Sequence, residues 1–268
     1  MSTGTAVANP IDAVFRRPDG RTALILYLTA GHPNPQKSRE LTPAIAGMAD
    51  IVEFGIPFSD PVADGPVIQA SSQRALSEGT RIEDCFEIAG SATAAVQTPL
   101  VFFTYYNPVL RYGLDRFAVS SREAGVSGVI AVDLPPEEAG PLHDALLREN
   151  LYLIPLLAPT STDTRLRAAA SIARGFVYCV SRTGVTGFRD SIAGELAPFL
   201  QRVGQHTALP RAVGFGISTP DHARAVSEMA EGVVVGTALV DLVERTGGDL
   251  DQIEAYVRSL REGMDRGR

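Results

Sequence analysis

Short runs of apolar residues recur along this chain, separated by stretches whose apolar positions follow a helical spacing. Eight runs read as strands: 22–29 (TALILYLT), 50–56 (DIVEFGI), 99–105 (PLVFFTY), 128–133 (GVIAVD), 152–157 (YLIPLL), 176–181 (FVYCVS), 212–216 (AVGFG) and 232–235 (GVVV). Most are continuous rather than alternating, as expected of strands covered on both faces. Eight strands alternating with helices predict an α/β protein, a single (β/α)8 TIM barrel over residues 1–268 with extra N-terminal and loop helices. An open doubly wound sheet is the alternative. No G-x-G-x-x-G follows a strand, which weakens its dinucleotide-binding version.

Helix signals fill the intervals. Ser161-Thr162-Asp163 can cap a helix running to Ala173, and Thr219-Pro220 places a cap and a first-turn proline before a helix over 220–230. Leu142, Leu146 and Leu147 share one face of 135–149. Ile253, Tyr256, Val257, Leu260 and Met264 form a stripe near the C-terminus, read as ordinary packing on the barrel. Residues 57–80 read as a long connection, exceeding the usual βα length, and long ordered loops tend to be functional.

Composition changes the picture by exclusion. The net charge of −7 argues against a nucleic-acid backbone as partner. No apolar run reaches the roughly 18 residues of a membrane span. The N-terminus lacks a basic n-region and a long apolar h-region, so no signal peptide is expected and the cytoplasm is the expected compartment. Cys85 and Cys179 are too few for a disulfide framework, and the four histidines show no ligand spacing, so no metal site is expected. Lys37 is the single lysine, on a segment read as helix. A Schiff-base lyase, or an enzyme holding pyridoxal phosphate on its own lysine, would need one in its pocket.

The densest candidate chemistry lies in residues 50–69, DIVEFGIPFSDPVADGPVIQ. Glu53 interrupts an apolar strand, where an ionised carboxylate must find a partner, shift its pKa or react. Pro57 ends the strand, and Pro61, Gly65 and Pro66 constrain a loop carrying Asp60 and Asp64. Asp60 reads as a turn former. In a barrel the active site lies at the C-terminal strand ends. This collects Gly31-His32, Glu53, Asp64, Tyr105, Asp133, Tyr178, Arg182, the loop 183–187, Gly214–Gly216 and Gly236-Thr237. Gly216, Gly236, Thr237 and the glycines of the 183–187 loop are candidates for a phosphate cradle built from backbone amides and a helix N-terminus. Tyr27, Phe54, Phe103, Tyr105, Tyr178 and Phe215 are available to line an apolar pocket. The ligand inferred is a flat apolar ring with a phosphate at its other end.

EFGIPFSDPVADGPVIQ resembles the signature of the tryptophan synthase α subunit family. The resemblance continues through TAG near residue 30, TYYNPV, AVDLPPEEA, SRTGVTG, GFGIS and GTALV, in order along nearly the whole chain. It implies retro-aldol cleavage of indole-3-glycerol phosphate to indole and glyceraldehyde 3-phosphate. Glu53 is then the general acid/base, Asp64 the acceptor of the indole N–H, and Tyr178 an orienting or assisting phenol. Tyr105, Thr186 and Phe215 bind substrate, with Thr186 touching Asp64 on loop closure, and Gly187, Gly216, Gly236 and Thr237 hold the phosphate. No cofactor is expected in this chain, and pyridoxal phosphate belongs to a β subunit partner in an α2β2 assembly. The family's β contacts would be the Pro57–Pro61 loop and TYYNPVLRYG. The chain departs from the family pattern at His32 (usually Asp, near the pocket mouth), Tyr27 (commonly Phe) and Val67 (commonly Thr). A stand-alone lyase releasing indole, a non-catalytic barrel partner and another phosphate-binding barrel such as a sugar-phosphate isomerase remain as alternatives.

Overall fold

A computed structural model describes residues 8–180, 192–214 and 216–266. Among the described residues all the strands are parallel, and they form one sheet: β1 (Ala23–Thr29), β2 (Ile51–Gly55), β3 (Leu100–Thr104), β4 (Gly128–Ala131), β5 (Tyr152–Leu153), β6 (Leu156–Leu157), β7 (Val177–Val180), β8 (Arg211–Gly214) and β9 (Gly232–Val235). The spatial order is β5-β4-β3-β2-β1-β9-β8-β7-β6. The two outermost strands are consecutive in the chain, so the sheet curls into a barrel.

The expected strand 152–157 is therefore two short strands. Ile154 still donates to Val129 on the β4 side, whereas the carbonyl of Pro155 accepts from Tyr178 on the β7 side. Proline has no N–H to continue a ladder, so pairing changes partner at this bend. The eight predicted strands are otherwise all present.

Most strand positions are buried on both faces, yet the side chains still alternate. Ala23, Ile25, Ile51, Val101, Ile130, Phe176, Ala212 and Val234 point into the barrel. Leu24, Leu26, Val52, Phe54, Phe102, Val129, Val213 and Val235 point out against the helices. This corrects the expectation that Phe54 lines the pocket. It is one residue from inward-facing Glu53, so it faces outward and stacks on Phe102.

The connection after β2 is shorter than expected. Pro66 opens a helix, Pro66–Ser77, with Gly65 at its N-cap, so only about the first half of 57–80 is loop. Thr162 and Thr219 cap helices Asp163–Ile172 and Pro220–Ser227 through their side-chain oxygens. The C-terminal stripe packs on the barrel, with Ile253, Val257, Leu260 and Met264 buried in helix Leu250–Asp265. From that helix Tyr256 donates to the carbonyl of Ser218 at 3.0 Å, tying it to the loop after β8.

Candidate active site

A cavity of about 340 Å³ opens at the C-terminal ends of the strands. That volume lies within the range of small-molecule sites. Glu53, Asp64, Tyr178, Gly216, Gly236 and Thr237 all line it, together with Tyr27, Val67, Phe103 and Val234. Residues distant in sequence thus meet because parallel strands present their C-terminal ends on one face.

Glu53 is held by the middle of β2, between Tyr27 of β1 and Val101 of β3. It is 1% exposed, and its Oε1 has no hydrogen-bond partner among the described residues. Burial alone pushes its pKa up to about 8, because the surroundings offer nothing to stabilise the ionised form. The group is a carboxylic acid at neutral pH, poised to give a proton and take one back.

Asp64 sits on the loop before helix Pro66–Ser77. Burial also raises its pKa, but the Tyr105 hydroxyl donates to its Oδ2 at 2.9 Å and partly offsets the shift. The same Tyr105 oxygen accepts from the Ala63 amide at 3.0 Å. One phenol therefore fixes both the loop backbone and the carboxylate. Tyr105 is itself the N-cap residue of helix Tyr106–Tyr112, directly after β3. Asp60 is exposed and accepts from Ser59, in keeping with a local turn role.

Tyr178, on β7, is 4% exposed. Burial holds its phenol protonated, and the negative charges of Glu53 and Asp64 add to the effect. Its hydroxyl occupies a notch over β8, where a Cβ on Gly214 would come within 2.0 Å of it. Tyr27 uses the same device on β1, its hydroxyl lying 2.1 Å from where a Gly55 Cβ would stand on β2. Glycine in these two strands clears space for a phenol from the neighbouring strand.

In the same cavity, Gly236 is the N-cap of helix Thr237–Thr246, whose N-terminus has no side-chain cap. Uncapped amides and the helix dipole favour an anion there. Gly216 adds backbone in a left-handed conformation, φ +77°, which a side chain would resist. Thr186, Gly187 and Phe215 fall outside the described residues.

His32 is not at the cavity. It is buried beside Ser38, Leu41 and Val240, and its Nε2 lies 2.8 Å from Glu244. Arg74 donates to the other Glu244 oxygen and to the Pro33 carbonyl. Burial lowers the His32 pKa. The trio clasps helix Pro66–Ser77 to helix Thr237–Thr246, a structural role for this departure. Asp133 likewise accepts from the Tyr106 amide and works as a local brace. Lys37 lies on helix Pro35–Ala46, paired with Glu40 and away from the cavity.

The sequence reading missed the paired Tyr–Gly notches and the Tyr105 bridge. Strand parity would have selected Val234 and excluded Phe54. Nothing local signals that Tyr105 reaches Asp64.

The family described as tryptophan synthase alpha chain has a sequence profile that matches residues 15–267. The chain belongs to this family. Its members are lyases that cleave indole-3-glycerol phosphate. The chain is 45% identical over 264 residues to the tryptophan synthase alpha chain of Solibacter usitatus, covering 97% of this chain and 98% of that one. With the corresponding protein of Methanosarcina mazei it shares 46% identity over 260 residues, 96% and 94% of the two chains. The crystal structure of the tryptophan synthase α subunit from Legionella pneumophila superposes with a TM-score of 0.88 at 35% identity, covering 97% and 100%. Tryptophan synthase from M. tuberculosis gives 0.86 at 35% identity, covering 96% and 100%.

Proposed function

We propose that this chain cleaves indole-3-glycerol phosphate through Glu53, assisted by Asp64 and Tyr178. The observation that carries the reading is a buried, unpartnered carboxyl facing the cavity that also holds Asp64. Protonated Glu53 delivers its proton to C3 of the indole ring, and positive charge develops on the ring nitrogen. Asp64 accepts the N–H hydrogen bond and stabilises that charge. The Glu53 carboxylate then takes the proton of the glycerol hydroxyl next to the breaking bond. The C–C bond electrons return to the ring, releasing indole and glyceraldehyde 3-phosphate, and Glu53 ends protonated as it began. The ring serves as the electron sink, which is why no lysine is required.

Tyr178 orients the reacting end. Thr186 and Phe215 contact substrate, and Gly187, Gly216, Gly236 and Thr237 hold the phosphate. The uncapped helix N-terminus at Gly236 supports the phosphate role, whereas Tyr105 does not itself line the cavity and acts on it through its bond to Asp64. We further propose one barrel domain over residues 1–268, action in the cytoplasm without a cofactor of its own, and an α2β2 assembly whose β subunit carries the pyridoxal phosphate. No helix among the described residues is long and apolar enough to cross a membrane. A surface groove is lined by Pro57, Phe58, Asn107, Pro108 and Arg111, from the two segments expected to meet the β subunit, and Val62 (85%) and Leu110 (54%), close to them in sequence, are exposed. This supports docking of the β subunit on that face.

The test is turnover of indole-3-glycerol phosphate by the purified chain, alone and with a β subunit from the same source. Glyceraldehyde 3-phosphate is followed with a coupled dehydrogenase. Slow turnover that the partner strongly accelerates is the expected result. Fast turnover indifferent to the partner would make the chain a free-standing indole producer. Absence of turnover in both conditions would overturn the reading.

A further inference from the structure

Tyr27 lines the cavity, and its hydroxyl lies within electrostatic reach of Asp64 and Glu53. Its Cβ lies 3.3 Å from where a Gly236 Cβ would stand, and its hydroxyl reaches the Gly55 notch. The ring therefore spans from the end of β9, beside the phosphate cradle, to the end of β2, beside the carboxylates. Phe103 packs on it edge to face, with centroids 5.3 Å apart. Tyr27 is 6% exposed, and burial, with the charges of Asp64 and Glu53, keeps its phenol protonated.

The hydroxyl is part of a chain of three. Thr29 Oγ1 is 3.4 Å from the Tyr27 oxygen and 2.7 Å from Ser71 Oγ, and Ser71 Oγ is 2.9 Å from the Ile68 carbonyl. Each hydroxyl owns one proton, so two arrangements satisfy the chain. If Ser71 donates to Thr29 and Thr29 to Tyr27, the Tyr27 proton is free to point into the cavity. If Ser71 donates to Ile68 and Thr29 to Ser71, Tyr27 donates to Thr29 and its oxygen can accept from the cavity. Tyr27 can thus meet either a donor or an acceptor on a ligand, and without one it keeps its internal bond.

We propose that the Tyr27 hydroxyl is a specificity-determining contact that receives a hydrogen-bonding substituent on the benzo ring of the substrate. The proposal rests on the function assigned above, which sets the indole N–H on Asp64; Tyr27 lines the same cavity. A slot lined only by hydrocarbon discriminates weakly among ring substituents of similar size, whereas a placed hydroxyl rewards the polar one.

The experiment measures kcat/KM for indole-3-glycerol phosphate and for congeners carrying one hydroxyl at each benzo position, and takes the ratio of congener to parent. For at least one position, Tyr27→Phe should lower that ratio by about 3- to 10-fold, the worth of one neutral hydrogen bond. Thr29→Val should raise it by about 2-fold, because the phenol loses its internal partner and only the polar congener replaces it. A merely structural role would move parent and congener together. A ratio unchanged at every position in Tyr27→Phe would overturn the proposal while parent turnover stands. Absence of parent turnover in the unaltered chain would overturn the underlying function as well, so the two failures are distinguishable.

Discussion

Two carboxylates three residues apart, Asp50 and Glu53, show how the two ends of one barrel differ. Asp50 lies at the N-terminal end, just before β2. The Leu24 amide donates to its Oδ2 at 2.7 Å, Arg17 donates to Oδ1 at 2.6 Å, and the Arg261 guanidinium lies 2.7 Å away. Burial pushes its pKa up, but these groups outweigh burial and hold it below the usual carboxylate range. Glu53 is more deeply buried than Asp50, and burial acts on it unopposed. One end of the barrel satisfies its charge and gains stability. The other leaves a group unsatisfied, holding reactivity at some expense of stability.

The largest effect should come from breaking the reactive half. Glu53→Gln should lower kcat for indole-3-glycerol phosphate by about 10³-fold or more, within the span of general acid–base contributions, while a non-cleavable analogue still binds by calorimetry. Wild-type turnover in this variant would remove Glu53 from the mechanism.

Breaking the stabilising half should act on folding instead. Asp50→Ala leaves Arg17 and Arg261 facing each other without a counter-charge and should cost about 3–5 kcal/mol in denaturant unfolding. Activity per folded molecule should persist. An equal loss of kcat in the folded fraction would mean that the two ends are coupled.

pH sharpens the contrast because the two groups have opposite signs. Folded Glu53 holds its proton up to about pH 8, whereas its ordinary value is 4.5. Folding therefore takes up a proton in that window, and stability falls as pH rises through it. Glu53→Gln should gain stability relative to the unaltered chain across the same window, by at most about 4–5 kcal/mol, and level off above it. Asp50, with its lowered pKa, contributes stability that is present above the ordinary carboxylate range and lost as the solution is acidified through its folded value. The Asp50→Asn difference should shrink in acid. Chemical denaturation at a series of pH values tests both, and parallel curves would contradict the assignment. The activity profile should also fall above about pH 8 as Glu53 ionises.

The smallest effect belongs to the brace. Tyr105→Phe removes a hydroxyl shared by Asp64 and the Ala63 amide. It should lower kcat/KM by about 10-fold or somewhat more, the lower end of the range for a hydrogen bond to a charged carboxylate. Steady-state kinetics on the single variant measure this, and an unchanged value would show that the loop holds Asp64 without it.

Much of this was legible in the sequence. Apolar runs gave the strands because a buried strand needs only local composition to be recognised. Glu53 stood out because a lone carboxylate in such a run has few ways to be tolerated. Thr162 and Thr219 gave helix starts because capping is settled within three or four residues. Tertiary structure decided what depends on distant parts of the chain. Phe54 faces away from Glu53 because strand parity is read only against a fixed inside. His32 turns into a slot beside Glu244 because helix Thr237–Thr246 closes over it. Asp50 and Glu53 look alike in sequence, and only folding brings Arg17 and Arg261 to one and leaves the other alone. Local patterning fixes which elements form, whereas the environment of each charge is set by long-range packing.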